Sequence, residues 1–316
     1  MGPLVSGLDT GFLTLPDDVA LNAVRAHEGA LWWCLELEQR LLDIEEWLED
    51  AGGIEHLVLK GPAVAHLDDV DPSLRSFGDL DLLIAGHDLD RALDVLAHHG
   101  ARRASVARRP GFDRRFGKGV GTRSEDGVEI DVHRALCGGA HGFRIPLDRL
   151  FDHAEHFSLG GRSIPTLSRP HRALHACYHA VVSSSEPPLR TPRDLGWYLS
   201  SEDLTPEVLA PEAARWRGEV VLAEAVRSTV TMFGLDLPEW QAWLNANPVP
   251  GEEHRILEVG RRPSGAPFHW STVRELPWRD RVAFLWAVAV PSSEVLEARG
   301  QTHLSRLSTA LKRLAR

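Results

Sequence analysis

Two aspartates one residue apart, Asp79 and Asp81, open the apolar run of LRSFGDLDLLI (Leu74–Ile84). Side chains alternate across a strand, so the two carboxylates share one face while Leu80, Leu82 and Ile84 share the other. GVEIDVHR (Gly127–Arg134) repeats the design, with Val128, Ile130 and Val132 on one face and Glu129, Asp131 and His133 on the opposite one. Were these strands neighbours, Asp79, Asp81 and Asp131 would converge. Like charges so placed raise one another's pKa or demand a cation. Oxygen donors suit hard divalent ions, Mg2+ first and Mn2+ as the alternative. Two such ions about 4 Å apart would hold the attacking and the leaving oxygen of a phosphoryl displacement.

A triphosphate needs a seat of its own. LVLKGPA (Leu57–Ala63) reads as a strand, a glycine turn and a helix start, where backbone N–H groups and the positive helix end favour an anion. Lys60 adds a point charge after that strand, Gly61 makes the turn, and Arg75 can add a guanidinium fork. Pro62 carries no N–H of its own, so the turn offers an anion one donor fewer. On the acidic strand face, Glu129 is a candidate accessory acid, and His133 can touch an acceptor or face water.

Three further features compete with this site. His171, His175 and His179 recur every fourth residue and stack on one helix face. They read as a wall of the nucleotide cleft, with an independent metal site, and hence a metal-dependent phosphohydrolase, as the rival reading. Residues 102–118, ARRASVARRPGFDRRFGKG in context, concentrate arginine in a chain whose net charge is −10, and are the one stretch suited to RNA or another polyanion. The ten tryptophans mostly sit in helical stripes and read as core rather than as base-stacking platforms.

These residues need elements to hold them. Apolar residues at helical spacing predict a helix over 17–50, capped by Asp17 or Asp18 and stopped by Gly52-Gly53. A strand over 54–60, a helix beginning at Pro62, a strand over 79–84 and a helix over 88–99 follow. Strands are then expected over 102–108, 112–118 and 127–134. From about residue 161 the composition turns helical, with helices expected over 168–183, 193–199, 205–216, 219–233 and 281–290. A basic amphipathic helix over 302–316 is expected to lie on the body of the protein. The division is an N-terminal helical segment (1–53), an α/β domain carrying the acids (54–160) and an all-helical domain (161–316) that binds substrate or nucleotide.

VLKGPAVAHL, LRSFGDLDLLI and VEIDVHR together resemble the nucleotidyltransferase fold of DNA polymerase β, in particular bacterial proteins labelled uncharacterised nucleotidyltransferases. They are also similar to toxin nucleotidyltransferases of the abortive-infection type. IPTLSRPHRALHACYHAV and LRTPRDLGW look like the helical half of the first group, so the resemblance covers about residues 54–200. It implies an α+β fold, a mixed sheet with flanking helices followed by an all-helical domain. It further implies that Asp79 and Asp81 ligate two Mg2+ ions and that Asp131 completes the site and helps deprotonate an acceptor hydroxyl. Lys60, Gly61 and Arg75, with Ser76 beside them, would hold the triphosphate.

Composition sets the outer bounds. With 316 residues, 43% hydrophobic and 25% charged, the chain has the profile of a globular protein. Its three cysteines are odd in number and far apart, which excludes a disulfide framework and points to a reducing interior. No signal peptide is visible, the Met1-Gly2 start matches the myristoylation pattern by chance, and no apolar run reaches the roughly 20 residues of a membrane span. The expected setting is the cytoplasm. The expected activity is Mg2+-dependent transfer of a nucleoside monophosphate from a triphosphate such as ATP to an unidentified acceptor (small molecule, peptide, protein or RNA 3′ end), with release of pyrophosphate. A catalytically idle module that binds nucleotide or a partner is the other reading.

Overall fold

The computed structural model describes residues 2–182, 190–262, 265–298 and 300–301, apart from the side chain of Arg190. The helix expected over 302–316 lies outside the described residues. In chain order the elements are α1 (Gly2–Asp9), α2 (Asp17–Asp50), β1 (His56–Val58), α3 (Pro62–Leu67), β2 (Leu80–Ile84), α4 (Leu89–His98), β3 (Arg102–Arg103), α5 (Phe112–Phe116), β4 (Gly119–Arg123) and β5 (Glu129–His133). There follow α6 (Gly139–Arg144), α7 (Leu147–Asp152), β6 (Glu155–Leu159), β7 (Arg162–Thr166), α8 (Arg169–Val181), α9 (Arg190–Leu199), α10 (Pro206–Arg215) and α11 (Glu219–Phe233). The last five are α12 (Pro238–Ala246), α13 (Gly251–Gly260), α14 (Gly265–Glu275), α15 (Trp278–Ala289) and α16 (Ser293–Ala298). The fold is α+β, a mixed sheet with flanking helices and a helical C-terminal region, as the resemblance implies.

Two compact units share the chain, and neither is one continuous stretch. The first comprises residues 1–103, 121–133 and 147–172, the second residues 104–120, 134–146 and 173–316. In the first unit a seven-stranded sheet runs in the order β3-β4-β5-β2-β1-β7-β6. β1 and β2 are antiparallel, with Val58 opposite Leu82, whereas β2 and β5 are parallel. Central position explains the composition of β2: all five residues are buried, and Asp81 alone is not apolar. On α2, Leu37, Leu41, Ile44 and Leu48 are each at most 1% exposed, so the stripe that predicts the helix is also its buried face. Its N-cap is Pro16, with no side-chain cap, and Asp17 and Asp18 occupy the first turn, where their charge favours the positive helix end.

β6 and β7 form an antiparallel hairpin closed by Gly160-Gly161, both glycines at positive φ, and β7 adds to β1 in parallel. That hairpin is absent from the sequence reading, although two glycines between alternating segments are a hairpin signal.

In the second unit, Trp216 and the run Val220–Ala223 are almost wholly inaccessible. The Arg144 side chain, 1% exposed, is held between Glu253 (2.6 Å) and Glu275 (2.9 Å). Residues 112–116 are helix where a strand is expected over 112–118. Phe112 and Phe116 then fall one turn apart, close enough for Phe284 to meet both, stacked on Phe112 and edge-on to Phe116, whereas four residues of strand would hold them about 13 Å apart. The tryptophans also depart from expectation: Trp216 and Trp240 are buried, but Trp32, Trp197, Trp270, Trp278 and Trp286 are each more than half exposed. Among the described residues no helix is long and apolar enough to cross a membrane.

Candidate active site

A carboxylate that is 3% exposed inside a fully buried strand cannot stand alone, because an unpaired charge at that depth is prohibitively costly. The register of the sheet supplies the partners of Asp81. On the parallel neighbour β5, Asp131 lies directly opposite Asp81, and His133 lies opposite Leu83. Period-two alternation then puts Asp81, Asp131 and His133 on one face. The imidazole Nε2 of His133 is 2.8 Å from Asp81 Oδ1. Lys60 Nζ approaches the other oxygen, Oδ2, at 2.9 Å, off the direction of a hydrogen bond, and lies 3.4 Å from Asp79 Oδ2. Lys60 is delivered by the end of β1, where the Leu59 N–H donates to the Asp81 carbonyl at 3.0 Å.

The charges bias one another. Burial alone would raise the pKa of Asp81, but the His133 hydrogen bond and the Lys60 charge outweigh it and hold the carboxyl well below the usual range. Asp79, 36% exposed, moves the other way, pushed up by burial and by the Asp81 charge against the pull of Lys60. For Lys60 burial works against the ammonium, yet Asp81 and Asp79 prevail and raise its pKa. Three carboxylates against one lysine leave a surplus of negative charge.

That surplus fits a divalent cation. One ligating atom from each of Asp81, Asp131 and His133 lies within 4.8 Å of the others, the only such trio of His, Cys, Asp and Glu among the described residues. Two carboxylates suit Mg2+ or Mn2+, and the imidazole nitrogen tilts the donor set toward Mn2+. Asp79 stands outside this trio, beside Lys60. The sequence marks His133 as a member of the acidic face but not as a partner of Asp81.

The remaining expected residues follow the β1–α3 turn and the approach to β2. Gly61 is the N-cap of α3 at φ 58° and ψ −111°, a conformation reserved for glycine, and a Cβ there would stand 3.4 Å from the Phe77 ring. α3 itself is only six residues long and begins at Pro62, so its end charge is small. Arg75 is buried and Ser76 half-buried, both in the extended segment leading to Asp79. α2 anchors that segment. The Phe77 N–H donates to Cys34 Sγ (3.3 Å), the Cys34 thiol donates to the Phe77 carbonyl (3.5 Å), and the Trp33 indole N–H donates to the Gly78 carbonyl (3.4 Å). No sequence signal marks Trp33 and Cys34 for this task, since they lie more than forty residues from what they hold.

Glu129 is exposed and pairs with Arg123 rather than joining the cluster. Of the histidines on α8, His171 packs edge-on to His153 in the first unit, and His175 packs edge-on to His179 in the second. Among the described residues these three histidines do not come together as a ligand trio.

A family model described as uncharacterised nucleotidyltransferase matches residues 6–234. Among solved structures, an antigenic nucleotidyltransferase-like protein from Paracoccidioides brasiliensis is similar at 16% identity, over 63% of this chain and 91% of that one, with a TM-score of 0.31. No curated protein matches the chain.

Proposed function

Since the chain belongs to the uncharacterised nucleotidyltransferase family, we propose that the Asp81–Asp131 pair and its neighbours transfer a nucleoside monophosphate from a triphosphate to an acceptor hydroxyl, releasing pyrophosphate. The observation that carries this reading is the parallel register that sets Asp81 against Asp131 with Lys60 2.9 Å from Asp81. Asp81 and Asp131 would hold a divalent cation, with His133 beside them and Asp79 available to a second. Such ions supply charge neutralisation at the transferred phosphoryl group and at the attacking and leaving oxygens.

The chain's own residues position and neutralise. His133 fixes one oxygen of Asp81, which leaves the other side of that carboxylate directed at Lys60 and the cluster. Lys60, on a rigid strand end, presents a cation to the phosphates of the nucleotide. Asp131, half-buried on the same face, would take the proton of the incoming hydroxyl. Most of the rate gain in such a site comes from positioning and charge.

The experiment is pyrophosphate release from each labelled triphosphate, with Mg2+ and then Mn2+, in the presence of a cell extract whose labelled fraction identifies the acceptor. Asp81→Asn and Asp131→Asn are each expected to lower turnover at least 100-fold, with an unchanged far-ultraviolet circular dichroism spectrum. Turnover retained in either variant contradicts the assignment. An idle binding module draws support from Pro62, which denies the turn an N–H, and from Lys60 already lying against both carboxylates. Calorimetric binding of ATP with Mg2+, without pyrophosphate release, would favour it.

A further inference from the structure

α15 buries one side and leaves the other bare. Phe284 and Ala287 are 3% and 4% exposed, whereas Trp278 is 72%, Val282 69% and Trp286 57% exposed. These three recur every fourth residue, so they form one outward stripe. Three large exposed apolar side chains in one row point to a binding surface, and their surroundings say what it binds. α5 packs on α15 through Phe112 and Phe116, whose rings lie 6.1 and 5.4 Å from that of Phe284. The packing brings the arginine-rich stretch beside the tryptophans, within the same unit. The Arg109 guanidinium sits 5.4 Å over the Trp286 ring while its Nε donates to the Val290 carbonyl, and Arg279 sits 5.7 Å over Trp278. Residues 104–118 and 278–289 together carry seven Lys and Arg against two Asp, in a chain of net charge −10. The cations are thus gathered where the exposed indoles are.

We propose that this α5–α15 face binds single-stranded polynucleotide, with Trp278 and Trp286 stacking on bases and the surrounding arginines neutralising phosphates. Indole faces accept any unpaired base, and arginine pairs with phosphate while reinforcing the stack. Eight residues of helix separate the two tryptophans by about 12 Å along the axis, so they serve two different bases of an extended strand. A duplex hides its base faces and gains nothing from the indoles. A partner protein would be served by the apolar stripe, whereas the cationic lining beside it suits a polyanion. The surface stands on the second unit alone and does not depend on nucleotidyl transfer.

The test is fluorescence anisotropy with the full chain and labelled mixed-sequence strands of about a dozen nucleotides: single-stranded RNA, single-stranded DNA and the RNA duplex. Single strands should bind, with affinity falling as salt rises, and the preference between RNA and DNA identifies the natural polymer. Trp278→Ala and Trp286→Ala should each weaken binding about ten-fold, while Trp286→Phe keeps most of it. Arg279→Gln should lower the slope of log affinity against log salt by about one. Asp81→Asn, a change in the first unit, should bind strands like the parent, so failure of the transfer reading and failure of this one are separable. Thermal melts show whether each variant folds. Equal affinity for the duplex, no binding at low salt, or tryptophan variants that bind like the parent overturns the proposal. So does a finding, by light scattering, that the tryptophan changes abolish self-association, which would make the face a contact between copies.

Discussion

Asp81 survives in the middle of a buried strand because both of its oxygens face cationic or hydrogen-bonding groups, and this sets up a competition. Lys60 Nζ lies against Asp79 and Asp81, where a metal ion would also find its charge welcome. Removing one partner of a fully buried ion pair costs about 3–5 kcal/mol. Lys60 is 31% exposed, so screening brings the expected loss for Lys60→Met down to about 1–3 kcal/mol. The variant should then lean on added cation more heavily than the parent. Mn2+ or Mg2+ is expected to raise its melting temperature by more than it raises that of the parent, and equal shifts in scanning calorimetry would remove the cation from this site. The sequence already exposes the core of the cluster, because strand alternation and the Lys-Gly turn are local patterns. What it hides is the pairing of His133 with Asp81, fifty-two positions apart, which needs the parallel register of β2 and β5. The Phe77 contacts of Cys34 are hidden for the same reason.

At the level of elements, the β1–α3 turn is the most demanding piece of backbone near the cluster. Gly61 at φ 58° and ψ −111° permits no side chain without strain. Gly61→Ala is expected to lose about 1–3 kcal/mol of stability and to weaken triphosphate binding by shifting Lys60, as chemical denaturation and KM would report. Unchanged stability would mean the turn relaxes freely. α2 is tied to the sheet by a second device: His56 Nε2 meets Glu45 Oε1 at 2.5 Å, with exposures of 8% and 11%. Burial lowers the pKa of His56, but the Glu45 hydrogen bond and charge outweigh it and raise it above 6.5. A raised folded pKa stabilises the protein fully below the unfolded value and loses that contribution as pH climbs through the folded one. The stability gap between the parent and His56→Gln should therefore be widest below about pH 6 and shrink at alkaline pH. A gap that grows with pH would show that the histidine is not charged in the fold. Periodic helices such as α2, α10 and α11 are legible from the spacing of their apolar residues and from the breakers at their ends. α5 is not, because five residues containing Phe112 and Phe116 suit either element until Phe284 supplies the contact that decides.

The whole molecule is interleaved, and this is the level at which sequence says least. Composition shifts mark where helices take over, but they cannot show that residues 104–120 and 134–146 belong to the same unit as residues 173–316. The consequence can be measured. A fragment ending at residue 172 keeps every strand of the sheet but deprives its two inserted segments of their partners. Phe116 loses Val273, Leu276 and Phe284, with which it forms a buried cluster. Arg144, its side chain 1% exposed, loses both Glu253 and Glu275. Exposing the Phe116 ring forfeits about 1.5–3 kcal/mol, and an arginine stripped of both carboxylates adds to the loss. Against a typical total stability of about 5–15 kcal/mol, that is a large fraction. Fragment 1–172 is accordingly expected to aggregate or to show rapid proteolysis within residues 104–120 and 134–146, while the full chain resists at the same protease concentration. A fragment with a cooperative melt and protected segments would show that the acid-bearing unit folds without the helices that follow it.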